Sequence, residues 1–277
     1  MGLARSIISR AATASELAMS PLRGVAPSLS QPRTLDQTGH RPWPLPRRPW
    51  FMAQTWEELL FAHWRVPVGE LRRVMPPQIP VDEHDGSAWL GVTPFRISAL
   101  RLRGTPHIPG LSSFPEVNVR TYATIGGRPG IYFLSLDAAR ALAVAGARRA
   151  FRLPYFEADM SAGRAGSSIG YRSTRTSGDG PPAALRARYR PVGSVFQARD
   201  GTLEHFLTER YCLYTLDERG RVLRGDIHHP PWPLQEAEAE IETNTMPAPY
   251  GLTLPDEPPL LHFSRRQDVV IWSLEPA

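Results

Sequence analysis

The clearest hydrophobic–polar pattern in the chain runs over residues 114–125, Phe-Pro-Glu-Val-Asn-Val-Arg-Thr-Tyr-Ala-Thr-Ile. Successive side chains of a β-strand point to opposite faces, so this run predicts a strand with two unlike faces. One face carries Glu116, Asn118, Arg120 and Tyr122, and the other carries valines and an alanine. The pattern predicts a strand that presents a row of polar groups to one side and packs its apolar side against other elements.

Weaker patterns predict short strands along most of the chain. The sequence contains 29 prolines, which remove backbone donors and favour short elements between turns over long helices. Residues 55–66 are predicted to form the opening strand. The further predicted strands cover residues 88–97, 131–136, 155–160, 168–176, 184–190, 211–216, 221–228, 236–245, 260–264 and 268–274.

A few short helices are predicted between these strands. Pro67 suits a first helical turn, with Val68 and Leu71 on the apolar face that follows. Asp137 is placed to cap an alanine-rich helix over residues 138–150, and residues 202–209 favour another short helix. Many short strands without a βαβ rhythm predict a mainly β (α+β) fold, an antiparallel β-barrel or sandwich with a few short helices.

The N-terminal part of the chain differs from the rest in composition. Residues 1–39 are rich in Ala, Ser, Arg and Pro without a sustained apolar period, which predicts a disordered or mis-called leader; a weak organellar presequence is the alternative. Residues 40–277 are then one domain. Its first segment, His40–Trp50, is too rich in proline for a helix and is expected to cross the surface, pinning Trp43 to the domain.

The net charge of +5 is concentrated in that leader. Residues 1–50 carry seven arginines against Glu16 and Asp36, whereas residues 51–277 carry 25 arginines and 25 acidic residues. A balanced body without a basic stripe argues against nucleic acid as a partner. A single cysteine, no secretory signal and no apolar run of membrane-spanning length favour a cytoplasmic protein without a membrane partner.

Lysine is absent from the whole chain, so all 32 basic residues are arginines. A Schiff base with a carbonyl substrate needs a primary amine that can lose its proton, and the guanidinium of arginine stays protonated. The same absence excludes the lysine of a nucleotide-binding phosphate loop. Covalent imine chemistry on a side chain is therefore excluded.

A set of motifs in chain order resembles the YqjF-like family, a domain of unknown function in the acetoacetate decarboxylase-like superfamily. The motifs are Phe61-Ala-His-Trp64, Asp85-Gly-Ser-Ala-Trp89, Gly91-Val-Thr-Pro-Phe95, residues 114–122, Ser135-Leu-Asp-Ala138, Ala147-Arg-Arg-Ala-Phe151, Leu153-Pro-Tyr155, Leu207-Thr-Glu-Arg-Tyr211, His228-His-Pro-Pro-Trp-Pro-Leu-Gln235 and residues 261–270. The resemblance implies an acetoacetate decarboxylase-like, mainly antiparallel β structure around an internal cavity. It also implies that Tyr155 stands where the decarboxylases have their Schiff-base lysine.

The polar face of residues 114–125 supplies the candidate site. Glu116 could act as a base, or as an acid if burial raised its pKa, and Tyr155 could donate a hydrogen bond or a proton. Arg120 could bind a carboxylate with two hydrogen bonds, Asn118 could orient a carbonyl, and Arg149 is a further candidate for binding an anion. The same pattern also describes a half-buried strand with a solvated polar face, or an ion pair without chemistry.

Other motifs point to structure more than to chemistry. His228 and His229 follow Asp226, but adjacent strand residues point to opposite faces, so a metal site is not predicted. The pair is expected to make structural hydrogen bonds, and His63 is expected to be a satisfied, partly buried histidine. No cofactor is predicted, because the glycine-rich residues 163–170 lack the dinucleotide-binding pattern.

Three functions fit these residues. The first is an enzyme that acts on a small keto or hydroxy acid, or a related carbonyl compound, by acid–base chemistry without a Schiff-base lysine. The second is a non-catalytic protein that binds a small molecule in the same cavity, and the third is a structural barrel filled by its own side chains. The expected partner is a small-molecule ligand or substrate, and the oligomeric state stays open, a homo-oligomer included.

Overall fold

Eleven β-strands form one sheet in the part of the chain that the computed structural model describes, residues 27–108, 112–139, 150–178 and 182–277. The strands are β1 (Met52–Val66), β2 (Ala88–Leu102), β3 (Phe114–Ile125), β4 (Arg128–Ala138), β5 (Tyr155–Ala165), β6 (Ser168–Arg175), β7 (Ala184–Phe196), β8 (Cys212–Leu216), β9 (Val222–His228), β10 (Leu234–Asn244) and β11 (Leu260–Pro276). The described helices are α1 (Pro27–Arg33), α2 (Val68–Val74) and α3 (Leu203–Thr208), with 3-10 turns at Thr34–Asp36 and Ala248–Tyr250. None of these helices could cross a lipid bilayer.

Two strands act as junctions of the sheet. β4 pairs with β3, β5 and β8, and β11 pairs with β1, β9 and β10. Three arcs of strands, β1–β3, β5–β7 with β10, and β8–β9, therefore connect the same two junctions. Most pairs are antiparallel, while β4 pairs in parallel with β5 and β8. The predicted mainly β fold is confirmed, and the sheet closes into rings.

The two faces of β3 lie in different surroundings, as its alternation predicts. Val117, Val119 and Ala123 belong to the largest apolar cluster, which also includes Tyr171 and Leu185 from the second arc. The opposite face of the strand is equally buried but carries the polar residues. β3 is thus covered on both sides, and the solvated polar face that the sequence left open is ruled out.

Most predicted strands and helices are confirmed, and two predictions differ from the structure. The segments 260–264 and 268–274 are one continuous strand, because the polar residues between them keep their pairing with β1. β4 continues through Ala138, so Asp137 does not cap a helix at this point. Asp137 is instead fully buried and receives two hydrogen bonds from Arg175. Residues 140–149 of the predicted helix lie outside the described residues.

The segment that joins α1 to β1 packs on the sheet. Trp43 is buried and donates from its indole nitrogen to Asp226 over 3.3 Å, which confirms that the proline-rich segment is pinned to the domain. Trp50 lies half-buried against the end of β11.

The described part of the predicted leader packs on the domain, because α1 and the turn after it are attached to the sheet. Gln31 is fully buried, and its amide donates to Thr55 and to the backbone carbonyl of Ala99 and accepts from Arg101. Ala99 has φ 49°, a bulge conformation that leaves its carbonyl without a strand partner. Gln31 satisfies that carbonyl. Residues 1–26 of the predicted leader lie outside the described residues.

Removing residues 27–39 is expected to destabilise the domain. A chain that begins at residue 40 loses the three buried hydrogen bonds of Gln31, each contributing about 1 kcal/mol, and leaves their partners unsatisfied. We expect its free energy of unfolding to fall by at least about 2 kcal/mol relative to a chain that begins at residue 27. Denaturant unfolding of the two truncated chains measures this difference directly, and equal midpoints would contradict the packing of α1.

Candidate functional site

The polar face of β3 opens onto a cavity of about 640 Å³. The cavity lies within the ring formed by β1–β4, β8, β9 and β11, since each of these strands contributes a lining residue. Glu116, Asn118 and Arg120 line it together, and each is at most 5% exposed. Three of the four residues that the alternation predicted to share a face therefore line one cavity, and the fourth, Tyr122, is buried beside it.

Glu116 and Tyr155 form a hydrogen-bonded pair at this cavity wall. The phenol oxygen of Tyr155 donates to Oε2 of Glu116 over 3.1 Å. Burial raises the pKa of Glu116 to about 8, an effect that the charge of Asp137 increases and the Tyr155 hydrogen bond opposes. Burial and the neighbouring Glu116 raise the pKa of Tyr155 well above its ordinary value. Near neutral pH Glu116 is therefore mostly a neutral acid that can give up or take back a proton at modest cost.

The backbone before β5 places Tyr155 against this glutamate. Arg152 adopts a left-handed conformation with φ 50°, and its carbonyl accepts a hydrogen bond of 2.8 Å from the hydroxyl of Thr215. The chain then turns so that the Pro154 carbonyl accepts from the backbone N–H of Leu136. Tyr155 pairs in parallel with Leu136, which itself lies opposite Asn118 of β3. The parallel β4–β5 pairing thus brings Tyr155 and Glu116 together from distant parts of the chain.

Arg120 lies farther along β3 with part of its guanidinium unpaired. One terminal nitrogen donates to the carbonyl of Leu207 over 3.5 Å, and the guanidinium packs against the rings of Phe61 and Tyr122. Within the described residues its Nε has no hydrogen-bond partner, although it is buried. A buried donor without a partner is costly, so this nitrogen is suited to bind a ligand that enters the cavity.

Two further polar atoms are in the same situation. Asn118 Oδ1 and the hydroxyl of Thr93 are buried, and neither has a hydrogen-bond partner within the described ranges of the chain. Thr93 of β2 is the register partner of Asn118, and both residues line the cavity. Together with Arg120 they give this wall a row of donors and acceptors that a polar ligand can satisfy.

His63 of β1, Gly91 of β2 and Arg120 of β3 lie side by side in three neighbouring strands. Gly91 pairs with His63 on one side and with Arg120 on the other. A Cβ atom at Gly91 would lie 3.1 Å from His63 Cδ2 and 3.2 Å from Arg120 Cγ, so only glycine leaves room for both side chains. Gly91 therefore sets the close approach of the histidine and the arginine.

His63 is fully buried and bonded to the hydroxyl of Tyr122 over 2.6 Å. Burial, together with the charge of Arg120 and the neighbouring His262, lowers the pKa of His63 well below its ordinary value. His63 is thus a neutral imidazole that supports Tyr122 and, through it, the wall beside Arg120. The expectation of a satisfied, partly buried histidine needs correction, because His63 is fully buried and its Nδ1 has no hydrogen-bond partner within the described residues. Its role beside Arg120 was not predicted, because the register that joins His63, Gly91 and Arg120 is not visible in the sequence.

The rest of the cavity is mostly apolar, although Gln54, Arg101, Thr105 and Ser112 also line it. Its walls are formed by aliphatic and aromatic side chains from most of the surrounding strands, including Met52, Phe95, Ile97, Phe114, Ile131, Phe133, Leu136, Leu213, Ile227 and Ile271. Phe151 and Leu153 close one side, and Phe51, Leu102 and Ile108 lie at the mouth. The arrangement combines a short polar wall with a much larger apolar surface.

His228 and His229 do not line the cavity. Arg149 falls outside the described residues. His228 is buried and hydrogen-bonded through Nε2 to the carbonyl of Thr34 over 2.7 Å, and the ring of His229 stacks on that of Tyr211 at 4.7 Å. Both histidines therefore have the structural environment that the sequence predicts. No group of three His, Cys, Asp or Glu side chains suited to a metal ion gathers within the described ranges.

Comparison with known proteins identifies both relatives and fold. The model of the DUF2071 family, described as an uncharacterized conserved protein, matches residues 53–268. The uncharacterized protein YqjF of Bacillus subtilis (strain 168) is 49% identical over 225 residues, which cover 81% of this chain and 92% of YqjF.

Solved structures at low sequence identity share the fold. The enduracididine biosynthesis enzyme MppR, complexed with pyruvate, superposes with a TM-score of 0.60 at 14% identity, covering 84% of this chain and 92% of MppR. The acetoacetate decarboxylase of Legionella pneumophila superposes with a TM-score of 0.56 at 14% identity, covering 88% and 95% of the two chains. The acetoacetate decarboxylase-like fold implied by the sequence motifs is confirmed.

Proposed function

The chain belongs to the DUF2071 family, and from that premise we propose that it is an enzyme acting on a small keto or hydroxy acid, or a related carbonyl compound, by acid–base chemistry. The observation that carries the proposal is the hydrogen bond between the buried Glu116 and the half-buried Tyr155, on the same cavity wall as the unpaired polar atoms of Asn118 and Arg120. A carboxyl group with a pKa near 8 beside a hydrogen-bond donor is suited to moving protons near neutral pH.

Each residue of this wall has a defined role in the proposal. Arg120 binds the substrate carboxylate through Nε and a terminal nitrogen, which matches the two oxygens of the anion. Asn118 and Thr93 orient the groups next to the carboxylate, and Tyr155 turns its single hydroxyl proton from Glu116 to the carbonyl oxygen of the bound substrate. Glu116, in its ionised form, removes a proton from the carbon next to that carbonyl and returns it after the electrons have rearranged.

The low polarity around Glu116 favours this chemistry. In a cavity lined by Phe95, Phe114 and Leu136, a carboxylate is poorly solvated and is therefore a stronger base than in water. The hydrogen bond from Tyr155 can stabilise negative charge that develops on the substrate oxygen, because it acts where few water molecules compete.

The absence of lysine separates this mechanism from one that passes through an imine. The sequence motifs imply that Tyr155 stands where the decarboxylases have their Schiff-base lysine, and a phenol donates a hydrogen bond but forms no imine. The fold relationship to MppR, which was solved with pyruvate bound, supports a 2-oxo acid as the substrate class. The unpaired guanidinium nitrogen of Arg120 is consistent with the carboxylate of such an acid.

The apolar lining favours a second function, a non-catalytic protein that binds a small molecule. Most of the cavity surface could contact a hydrophobic ligand without any chemistry, and large apolar pockets with few polar groups are typical of binding sites in general. The two functions differ in whether protons move at Glu116, so proton exchange on a bound ligand distinguishes them.

Solvent exchange of the hydrogens next to the carbonyl is the direct test of the proposal. Incubation of the protein with pyruvate or 2-oxobutyrate in D₂O is expected to replace the C3 hydrogens with deuterium at least about a hundredfold faster than buffer alone, the lower end of acid–base contributions. Proton NMR follows the loss of signal. A protein that binds these acids, as shown by an increase in Tm, but leaves the exchange rate unchanged would be the binding protein instead.

Reduction with borohydride tests the absence of an imine. After incubation with a 2-oxo acid and borohydride we expect no substrate adduct on any side chain, because no side-chain amine is present to be reduced onto the substrate; only the α-amino group of the chain can react in this way. Mass spectrometry of peptides gives the readout. An adduct on any side chain of the cavity would contradict the proposed mechanism.

A further inference from the structure

We propose that the substrate or ligand is an amphipathic acid, a 2-oxo acid with a long alkyl tail, whose head group binds at β3 and whose tail extends to the cavity mouth. The inference rests on the proposed function for the identity of the head group, and it concerns the much larger part of the cavity that the proposed chemistry does not use. It is carried by the separation of polar and apolar groups, the size of the cavity and the exposed apolar mouth.

The unpaired polar groups lie together on one wall, apart from most of the apolar lining. The unpaired atoms of Asn118, Arg120 and Thr93 and the carboxyl of Glu116 come from the central part of β2 and β3. The strands that face them across the ring contribute aliphatic side chains, Leu213 of β8, Ile227 of β9 and Ile271 of β11. A ligand with one charged end and one apolar end can pair with the polar wall and cover the apolar surface. A wholly polar ligand would leave the apolar surface in contact with water.

The cavity is far larger than a short 2-oxo acid needs. Its volume of about 640 Å³ falls within the range of pockets that bury drug-sized molecules, about 300 to 1,000 Å³. Pyruvate would fill a small fraction of that space and touch few of the apolar side chains. Since apolar interiors are closely packed, the remaining volume is explained best by a ligand that fills it.

Exposed apolar side chains cluster at the mouth of the cavity. Four large hydrophobic side chains are exposed among the described residues, and three of them line this cavity: Phe51 at 37%, Leu102 at 45% and Ile108 at 57% exposure. The fourth, Val195 at 61%, lies on β7, away from the cavity lining. Exposed apolar side chains that cluster at one opening indicate a surface that contacts an apolar part of a ligand.

A series of straight-chain 2-oxo acids, from pyruvate to 2-oxodecanoate, tests the inference. Burying one methylene group contributes about 0.8 kcal/mol, so the Kd is expected to fall by about threefold to fourfold with each added carbon until the cavity is full. Calorimetry or ligand-induced Tm shifts measure the affinities, and the deuterium exchange assay measures proton transfer on the same compounds. A Kd that stays constant along the series would overturn the inference.

A substitution at the mouth provides an independent test that spares the core. Ile108→Asp is expected to raise the Kd of the longest acid by about tenfold and that of pyruvate by less than about twofold, because only a long alkyl tail reaches the mouth. Val195→Asp, which introduces the same group at an equally exposed valine elsewhere, is expected to leave both affinities unchanged. Equal weakening of short and long acids by Ile108→Asp would contradict the placement of the tail.

The outcomes separate this inference from the proposed function. Affinity that increases with chain length without deuterium exchange supports the amphipathic ligand and rejects the enzyme. Deuterium exchange on pyruvate, without an increase in affinity for acids with longer alkyl tails, supports the enzyme and rejects the amphipathic ligand. If the affinity does not depend on chain length and no deuterium exchange occurs, both the amphipathic ligand and the enzyme are rejected.

Discussion

Replacing Glu116 by Gln is expected to reduce proton transfer on a bound 2-oxo acid by about a hundredfold to ten-thousandfold, the usual contribution of a general acid or base. The amide keeps the size and the hydrogen bond to Tyr155 but cannot accept the proton. The deuterium exchange rate under saturating ligand gives the readout. Glu240→Gln makes the same change on the exposed face of β10 and is expected to keep full activity.

The dependence of stability on pH shows whether the Glu116→Gln variant is folded and whether the carboxyl is as buried as the structure indicates. Folding raises the pKa of Glu116 from 4.5 to about 8, so the folded state binds this proton more tightly than the unfolded state. The contribution of Glu116 to the free energy of unfolding is therefore largest below pH 4.5 and decreases as the pH rises to about 8. Glutamine has no such dependence.

The variant should accordingly gain stability relative to the wild type as the pH rises. Each pKa unit corresponds to about 1.4 kcal/mol, so the difference between the two proteins is expected to change by about 4 kcal/mol between pH 5 and pH 8. Other groups that titrate in this range, such as His228 and His229, cancel in the comparison because both proteins contain them. Parallel stability curves, or undiminished exchange by the variant, would remove Glu116 from the mechanism.

The sequence predicted β3 and the division of its side chains between two faces, because those faces differ so strongly in chemistry; it left open whether the polar face was solvated. Valines at alternate positions select the packed side, and the bounds of residues 114–125 match the observed strand. What the alternation could not supply is the set of partners from other strands. Gly91 and His63 meet Arg120 only through the registers of β1, β2 and β3, which depend on bulges at Glu58 and Ala99 that leave no local pattern.

Two errors have related physical causes. Residues 27–36 have the composition of a disordered segment, yet Gln31 supplies the donor that the bulged carbonyl of Ala99 lacks. Asp137 has the right position to cap a helix, but its carboxylate is bound by Arg175, which is distant in sequence. In both cases a long-range hydrogen bond to a buried group outweighs a local preference.

The Asp137–Arg175 ion pair leads to the largest expected effect on stability. Asp137 is fully buried and Arg175 only 9% exposed, and they are joined by two hydrogen bonds of 2.7 and 2.8 Å. Arg175→Met leaves the carboxylate buried without its partner, and we expect the free energy of unfolding to fall by about 3–5 kcal/mol. Denaturant unfolding provides the measurement. Arg190→Met removes an exposed ion pair with Glu238 and is expected to cost less than about 1 kcal/mol.

This ion pair also connects stability to the candidate site. Only three residue pairs join β4 to β5, beginning with Leu136 opposite Tyr155, and Arg175 of β6 reaches across them to Asp137. Loosening that connection should let Tyr155 move away from Glu116, so Arg175→Met is expected to lower the exchange rate as well as the stability. The double variant Asp137→Asn/Arg175→Met removes both charges and should recover most of the lost stability, because no charge remains buried without a partner. If Arg175→Met is as stable as the wild type, or if the double variant is less stable than Arg175→Met, the Asp137–Arg175 ion pair does not hold β5 against β4.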